Sequence, residues 1–261
     1  MTIVPAGHTT DHDEANLMAV PPDAVRVWRG FRLGTLEPAK FMGYLGSIFI
    51  PATGVLQRLY GLTAYLPTVL PTSKPIGLPD EIALVFYKSQ QAYLDTQETV
   101  AGRAYSLLHQ TVFDFPASQT GFPVLLESKL ELDTPYHLFS DRVDWQGGFS
   151  QVFVGTRQPS ILIADFQSQL QQFFQKQQQE RPSGLDAAVC CASSDWLLYW
   201  EHWPTELGAK ESSRIADLAR IAEQVSLEPY VATTIESSLT ANYPGVGDVD
   251  GKSFNILFPR L

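Results

Sequence analysis

The chain reads as an α+β protein built from two β-α-β-β-α-β halves in series, and three observations carry that prediction. First, one set of short sequence marks occurs twice in the same order. Gly30-Phe31-Arg32 returns as Gly155-Thr156-Arg157, Pro38 as Pro159, Gly61-Leu62 as Gly184-Leu185 and Asp80 as Asp195. Leu126-Glu127-Ser128-Lys129-Leu130 returns as Ile235-Glu236-Ser237-Ser238-Leu239. A long internal period constrains architecture before any motif does. Second, apolar residues alternate between period-two runs and 3.6-period runs in the same succession in each half. Third, with 44% apolar and only 18% charged residues among 261, the chain can bury a core of that size.

The elements follow in order. Residues 1–22 are polar, end in Pro21-Pro22 and read as a loose arm. The β-branched and aromatic run 25–33 is a strand. Pro38 suits the first turn of a helix, and Phe41, Leu45, Ile48, Phe49, Leu56 and Leu59 continue it at helical spacing, with Pro51 kinking or dividing the run. Residues 62–70 and 81–88 are the second and third strands. Residues 91–113 form the second helix and 123–132 the fourth strand. In the second half, strands are expected at 151–157, 185–191, 196–203 and 230–239. Helices are expected at 160–179 and 211–225, and a short extra strand at 253–258. The domain reading is an arm at 1–22, a first half at 23–133, a connector at 134–148 and a second half at 149–261.

That element order is the ferredoxin-like split βαβ unit, an antiparallel sheet with both helices on one face. Two such sheets can bury their bare faces against each other. On this element order and the internal echo, the chain resembles the dimeric α/β-barrel superfamily, with both protomers fused into one chain. The resemblance implies an intramolecular barrel with a cavity between the two sheets.

Alternation sorts the faces. Val25, Val27, Phe31, Ile82, Leu84 and Phe86, with Ser150, Val152 and Val154 in the second half, are expected under the helices. The opposite face would then meet the other sheet. It collects Trp28, Arg32, Tyr87, Glu127, Phe153, Arg157, Trp200, His202 and Glu236, besides Arg26, Glu81, Ala83, Val85 and Gln151. Aromatic walls with a few ionisable groups are the usual composition of a small-molecule cavity. Arg32 with Glu127, and Arg157 with Glu236, are also placed to form cross-strand ion pairs.

His202 stands where the first half has Tyr87, in the aromatic run 196–204, and a histidine there can be tuned for proton transfer. His202, Tyr87, Glu127 and Glu236 are therefore the candidate catalytic residues. Arg32, Arg157, Trp28, Trp200 and Phe153 are the candidate substrate-binding residues. His109 reads as a helix C-terminal cap and His137 as a connector residue. His8, Asp11, His12, Asp13 and Glu14 have metal-ligand chemistry but sit on the arm without ordering partners, so no metal site is expected.

A net charge of −10 argues against nucleic acid and anionic membranes as partners. Residues 1–14 lack a basic segment followed by an apolar one, so no signal peptide is read. The apolar stretch 41–56, broken by Pro51, reads as too short to cross a bilayer. The expected location is cytoplasmic. Adjacent Cys190 and Cys191 imply free thiols. There is no GxGxxG, Walker loop, HExxH, GxSxG or CxxC pair.

The resemblance implies a cofactor-independent enzyme, a cyclase, lyase or isomerase working by acid–base catalysis on a small hydrophobic or aromatic oxygenated substrate. It also implies two alternatives, a haem protein ligated through His202, His137 or His109 or a cofactor-free monooxygenase. A third reading is a non-catalytic ligand-binding protein. A monomer or a homodimer is expected.

Overall fold

The computed structural model describes residues 19–234 and 249–258. The metal-ligand types of the arm and Glu236 lie outside these residues. The fold is α+β, with two six-stranded sheets.

The first sheet is centred on β1 (Val25–Gly30), β2 (Leu62–Val69), β3 (Glu81–Tyr87) and β4 (Gln119–Gly121), in the spatial order β2-β3-β1-β4 and all antiparallel. After β4 the chain crosses to the other sheet. There β5 (Val124–Leu125) and β6 (Pro135–His137) pair in parallel, and β6 runs antiparallel to β8 (Ala187–Ala192). The second sheet is centred on β7 (Phe149–Arg157), β8 (Ala187–Ala192), β9 (Trp196–Trp203) and β10 (Ala222–Gln224), again with its fourth strand beside its first. The chain then returns, and β11 (Tyr230–Thr234) and β12 (Ser253–Leu257) pair in parallel on the free side of β2.

Each half therefore donates two strands to the sheet of the other. The fourth strands lie earlier than 123–132 and 230–239. Those two runs belong, as far as they are described, to the exchanged segments. The expected ion pair between Arg32 and Glu127 is thereby broken. Glu127 is exposed beyond β5, and Arg32 donates to the Leu36 carbonyl.

The first helix, α1 (Pro38–Arg58), begins at Pro38 as expected and is not divided at Pro51; at its full length it is, by length and composition alone, apolar enough to cross a membrane, and half of it is buried inside the protein. A π turn at Leu45–Phe49, closed by the Ile50 amide on the Leu45 carbonyl, leads directly into Pro51. The widened turn carries the helix past a residue that cannot donate. Its Phe41, Leu45, Phe49 and Ile50 pack on Tyr65, Val85 and Tyr87 of the first sheet.

The helix expected at 91–113 is two, α2 (Gln90–Glu98) and α3 (Val100–His109). Thr99 ends the first and caps the second, its hydroxyl accepting from the Gly102 amide at 2.9 Å. A Cβ on Gly102 would lie 1.9 Å from the Thr96 carbonyl oxygen, so only glycine permits this break. In the second half, α4 (Ile163–Gln179) covers the outer face through Phe166, Leu170 and Phe174. The expected helix at 211–225 is instead α5 (Glu206–Ser212), α6 (Ile215–Leu218) and β10.

The two sheets share one apolar cluster. It joins Val25, Val27, Leu84 and Phe86 of the first to Val154, Val189, Leu198 and Trp200 of the second. Trp145, from the connecting segment, stacks on Phe86 at 4.7 Å in the same cluster. Val20 enters it too and bridges to Val143, so the end of the expected loose arm is tethered.

The face assignment is thus inverted on β1, β3 and β7 and correct on β9. Val25, Val27, Ile82, Leu84 and Phe86 point at the other sheet, while Ala83, Val85 and Tyr87 point at the helices. The physical reason is that both faces of these sheets are buried. Every residue of β3 and of β9 is buried, so alternation separates two faces without saying which is inside.

Candidate active site

Between the outer face of the first sheet and its helices lies a cavity of about 240 Å³. β1 and β3 supply its floor through Arg26, Trp28, Glu81, Ala83 and Tyr87. α1 supplies Phe49, Thr53 and Gln57, and the α2–α3 pair closes it with Tyr93, Gln97, Tyr105 and His109. These strand residues are the polar and aromatic set that alternation had singled out. They line a cavity beneath the helices, not one between the sheets.

Glu81 is the central ionisable group. It begins β3 and is 3% exposed. The Trp28 indole N–H donates to its Oε2 at 3.1 Å and the Tyr65 hydroxyl to its Oε1 at 3.3 Å. Burial pushes its carboxyl up to about 7, and the two hydrogen bonds only partly oppose this. Near neutral pH it is divided between acid and base.

His109 ends α3, where its Nδ1 donates to the Tyr105 carbonyl at 2.9 Å. That bond fixes the neutral tautomer and leaves Nε2 as an acceptor. Burial lowers its pKa to about 4. It is therefore no charged helix cap, contrary to the sequence reading. Its ring lies at 4.9 Å from Phe49 and 5.6 Å from Phe113. Tyr87 donates to Gln57 Oε1 at 3.4 Å, and burial raises its hydroxyl pKa further from neutrality. Tyr105 shares a hydroxyl contact with Thr53, and burial raises it likewise.

Arg26 is held by rings. Its guanidinium carbon lies 4.6 Å from the Tyr93 centroid and 5.7 Å from that of Trp28. Its Nε is buried without a hydrogen-bond partner.

Of the residues predicted from sequence, Tyr87 and Trp28 line this cavity. His202 and Trp200 lie on the inter-sheet side. His202 is 2% exposed, its Nδ1 is bonded to Ser150 Oγ at 2.9 Å, and its ring meets Trp145 at 4.9 Å. Burial lowers its pKa to about 4. Phe153 packs under α4. Arg32 and Arg157 brace their own loops: Arg157 reaches Asp195 at 2.6 Å and the Ile161 carbonyl, as Arg32 reaches that of Leu36. Glu127 is exposed. Glu81, Arg26 and His109 were missed as site residues. Glu81 and Arg26 stood on the right face in the alternation, but no ordinary spacing marks a carboxylate that burial will hold near neutrality.

Among the described residues the corresponding positions of the second half are filled by buried rings. Phe153 stands opposite Tyr199 where Trp28 stands opposite Ala83. Glu201 is buried there with four donors: Gln151, Ser213 and Trp203 on one oxygen and Tyr199 on the other.

No protein-family model matches the chain, and no curated protein matches it. Among solved structures, similarity extends to a "putative monooxygenase" from Lactobacillus acidophilus NCFM, with 5% identity, 76% of this chain and 85% of that one covered, and a TM-score of 0.32. A protein of the same description from Fusobacterium nucleatum subsp. nucleatum ATCC 25586 gives 10% identity, 77% and 85% coverage and a TM-score of 0.35. An anthrone oxidase-like protein gives 10% identity, 81% and 91% coverage and a TM-score of 0.33. Likenesses at this level decide nothing about activity.

Proposed function

We propose that the helix-covered cavity of the first half is the active site of a small-molecule enzyme that moves protons on an aromatic oxygenated substrate. The observation that carries this reading is Glu81, a carboxyl that burial places at about 7 on the wall of an aromatic cavity. A catalytic acid or base works best with a pKa near the operating pH. As carboxylate, Glu81 takes a proton from a carbon beside a substrate carbonyl or from a ring hydroxyl. The freed electron pair moves onto the substrate oxygen. The protonated carboxyl then returns the proton at a second position. Tyr87 donates a hydrogen bond to the developing oxyanion, and neutral His109 accepts one from a substrate hydroxyl. Trp28, Phe49 and Tyr93 flank the ring.

This is the acid–base chemistry of an isomerase, cyclase or lyase, with Glu81 as the base that the inter-sheet reading assigned to His202. The same deprotonation is the first half of a cofactor-free oxygenation, because the resulting anion can reduce dioxygen. The apolar, ring-lined walls favour that second reading as well, and oxygen uptake separates the two. A volume of about 240 Å³ lies just under the roughly 300–1,000 Å³ of drug-sized sites. It suits one to two fused rings, and a haem would need the α2–α3 pair to move aside. We also read the whole as two fused ferredoxin-like units forming an intramolecular α/β barrel. The support for this is the fourth-first-third-second strand order shared by both halves.

Deuterium exchange tests the proposal without knowledge of the natural substrate. Hydroxylated aromatic ketones are incubated with the protein in D2O and read by mass spectrometry. Enzyme-dependent incorporation is expected to fall about 10²–10⁴-fold in Glu81→Gln, the usual contribution of a positioned acid–base group. Incorporation unchanged in a folded Glu81→Gln protein would overturn it.

A further inference from the structure

Arg26 is a cation that the protein leaves unmatched. Among the described residues it has no salt bridge and no hydrogen bond, and its Nε is buried. The guanidinium is instead clamped between the faces of Tyr93 and Trp28, which fix its direction without neutralising it. Its charge reaches across the cavity. Burial dominates the shifts, raising Tyr87 and Tyr105 and lowering His109; Arg26 opposes it at the two tyrosines and adds to it at the histidine. Glu81, the carboxylate on the same wall, spends its oxygens on Trp28 and Tyr65 and not on Arg26.

Arg26 is half-buried on the cavity wall, so a ligand that fills the cavity would exclude water from the guanidinium and would have to supply its counter-charge. The second half sharpens the point. At the place corresponding to Arg26 it has Gln151, neutral and bonded to Glu201 at 2.6 Å. The arginine occurs only in the half that has the cavity.

We infer that the ligand of this cavity is a flat aromatic acid, one whose ring packs against Trp28 and Tyr93 and whose single carboxylate or phenolate oxygen is received by Arg26. The inference rests on the cavity being a ligand site, as proposed above, and narrows its substrate class from aromatic and oxygenated to aromatic and anionic. Guanidinium groups recognise such oxygens through charge-assisted, often bidentate hydrogen bonds.

The probes are 2-naphthoate and 2-naphthamide, which share shape and differ in charge, titrated by calorimetry into the full chain. Wild type is expected to bind naphthoate at least tenfold more tightly than naphthamide. Arg26→Met should lose that preference while keeping naphthamide affinity, and Arg26→Lys should keep part of it. Ala83→Phe, which fills the floor, should abolish binding of both. The preference should persist in Glu81→Gln, because recognition is read without turnover. Loss of exchange chemistry and loss of anion recognition thus fail separately. Equal affinities in wild type, or a preference that survives Arg26→Met or Ala83→Phe, would overturn the inference. So would failure of both probes to bind.

Discussion

Acid should destabilise this fold through three histidines. Burial holds His109, His137 and His202 at about 4, against an ordinary value of 6.5. Burial keeps each neutral, and it outweighs hydrogen bonds to backbone carbonyls that favour the charged ring: Tyr105 for His109, Pro22 for His137 at 2.5 Å and Asp144 for His202. Between pH 4 and 6.5 the unfolded chain binds a proton at each and the folded chain does not. Unfolding in that window therefore takes up three protons. Glu81 acts in the opposite sense. Its carboxyl is raised from 4.5 to about 7, so between those values the fold keeps a proton the unfolded chain has lost, and unfolding releases one. The net uptake is two protons. Stability rises with pH wherever the unfolded state binds more protons, and two protons correspond to roughly 2.7 kcal/mol per pH unit near pH 5.5. Against a total of about 5–15 kcal/mol, the descent from pH 6.5 to 4.5 removes much of the stability. Above pH 7 the histidine contribution is complete and the curve flattens. Urea unfolding followed by tryptophan fluorescence at half-unit pH steps measures this. His202→Gln should halve the slope, since one of the two net protons is gone, and Glu81→Gln should steepen it by half. A midpoint that is flat or rises toward acid would refute the reasoning, because the histidines would then be charged in the fold.

Other substitutions follow from the same geometry. Ala83→Phe should cost no more than about 1–3 kcal/mol, since the added ring enters open space, and should abolish aromatic-ligand binding by calorimetry. Glu201→Leu strands four donors in the second half and should lower stability by on the order of 4 kcal/mol in urea, while the affinity of the first-half cavity stays put. Gly102→Ala drives a Cβ into the Thr96 carbonyl. It should spread the α2–α3 pair, seen as faster amide hydrogen exchange across residues 96–105 and weaker ligand binding, with the inter-sheet amides unaffected.

The sequence carried the element order further than the site. Strand Trp196–Trp203 and the extra strand near 253–258 lie where alternation put them, and the echo of Arg32 in Arg157 has a physical meaning. Each arginine holds the carbonyl four residues on and so shapes the strand-to-helix turn. The fourth strands were misplaced because β4 and β10 are three residues long and exposed for the most part, too short to show a period. The longer runs that follow β4 and β10 were taken for them, and these, as far as they are described, belong to the exchanged segments. The α2–α3 break was invisible because Thr99 and Gly102 are individually ordinary inside a helical pattern. That the cavity lies beneath the helices and not between the sheets was invisible for a different reason. Polar alternation on β1 and β3 correctly marked a cavity wall, but a sheet buried on both faces gives no sign of which side the cavity occupies.

The asymmetry between the halves lies in how each fills the space under its helices. A sheet covered by helices is normally packed to crystal-like density, so an opening there needs a missing side chain. In the second half Tyr199 projects from β9 toward Phe173 and Phe174 of α4. At the matching register of β3 stands Ala83. Around that alanine the wall holds Trp28 and Tyr87 at distances their hydrogen bonds set, with Glu81 and Gln57 as partners, so the helices cannot collapse inward to fill the hole. Around Tyr199 the reverse holds. Its hydroxyl, the Trp203 indole, Gln151 and Ser213 all converge on Glu201, and a fully buried carboxyl so surrounded by the protein's own donors is closed to a substrate. The two halves thus put a buried glutamate to opposite uses. Glu201 is saturated and ties strands β7 and β9 to the loop carrying Ser213. Glu81 has two donors, an unpaired arginine on the same wall of an open cavity and a proton it can lose near pH 7.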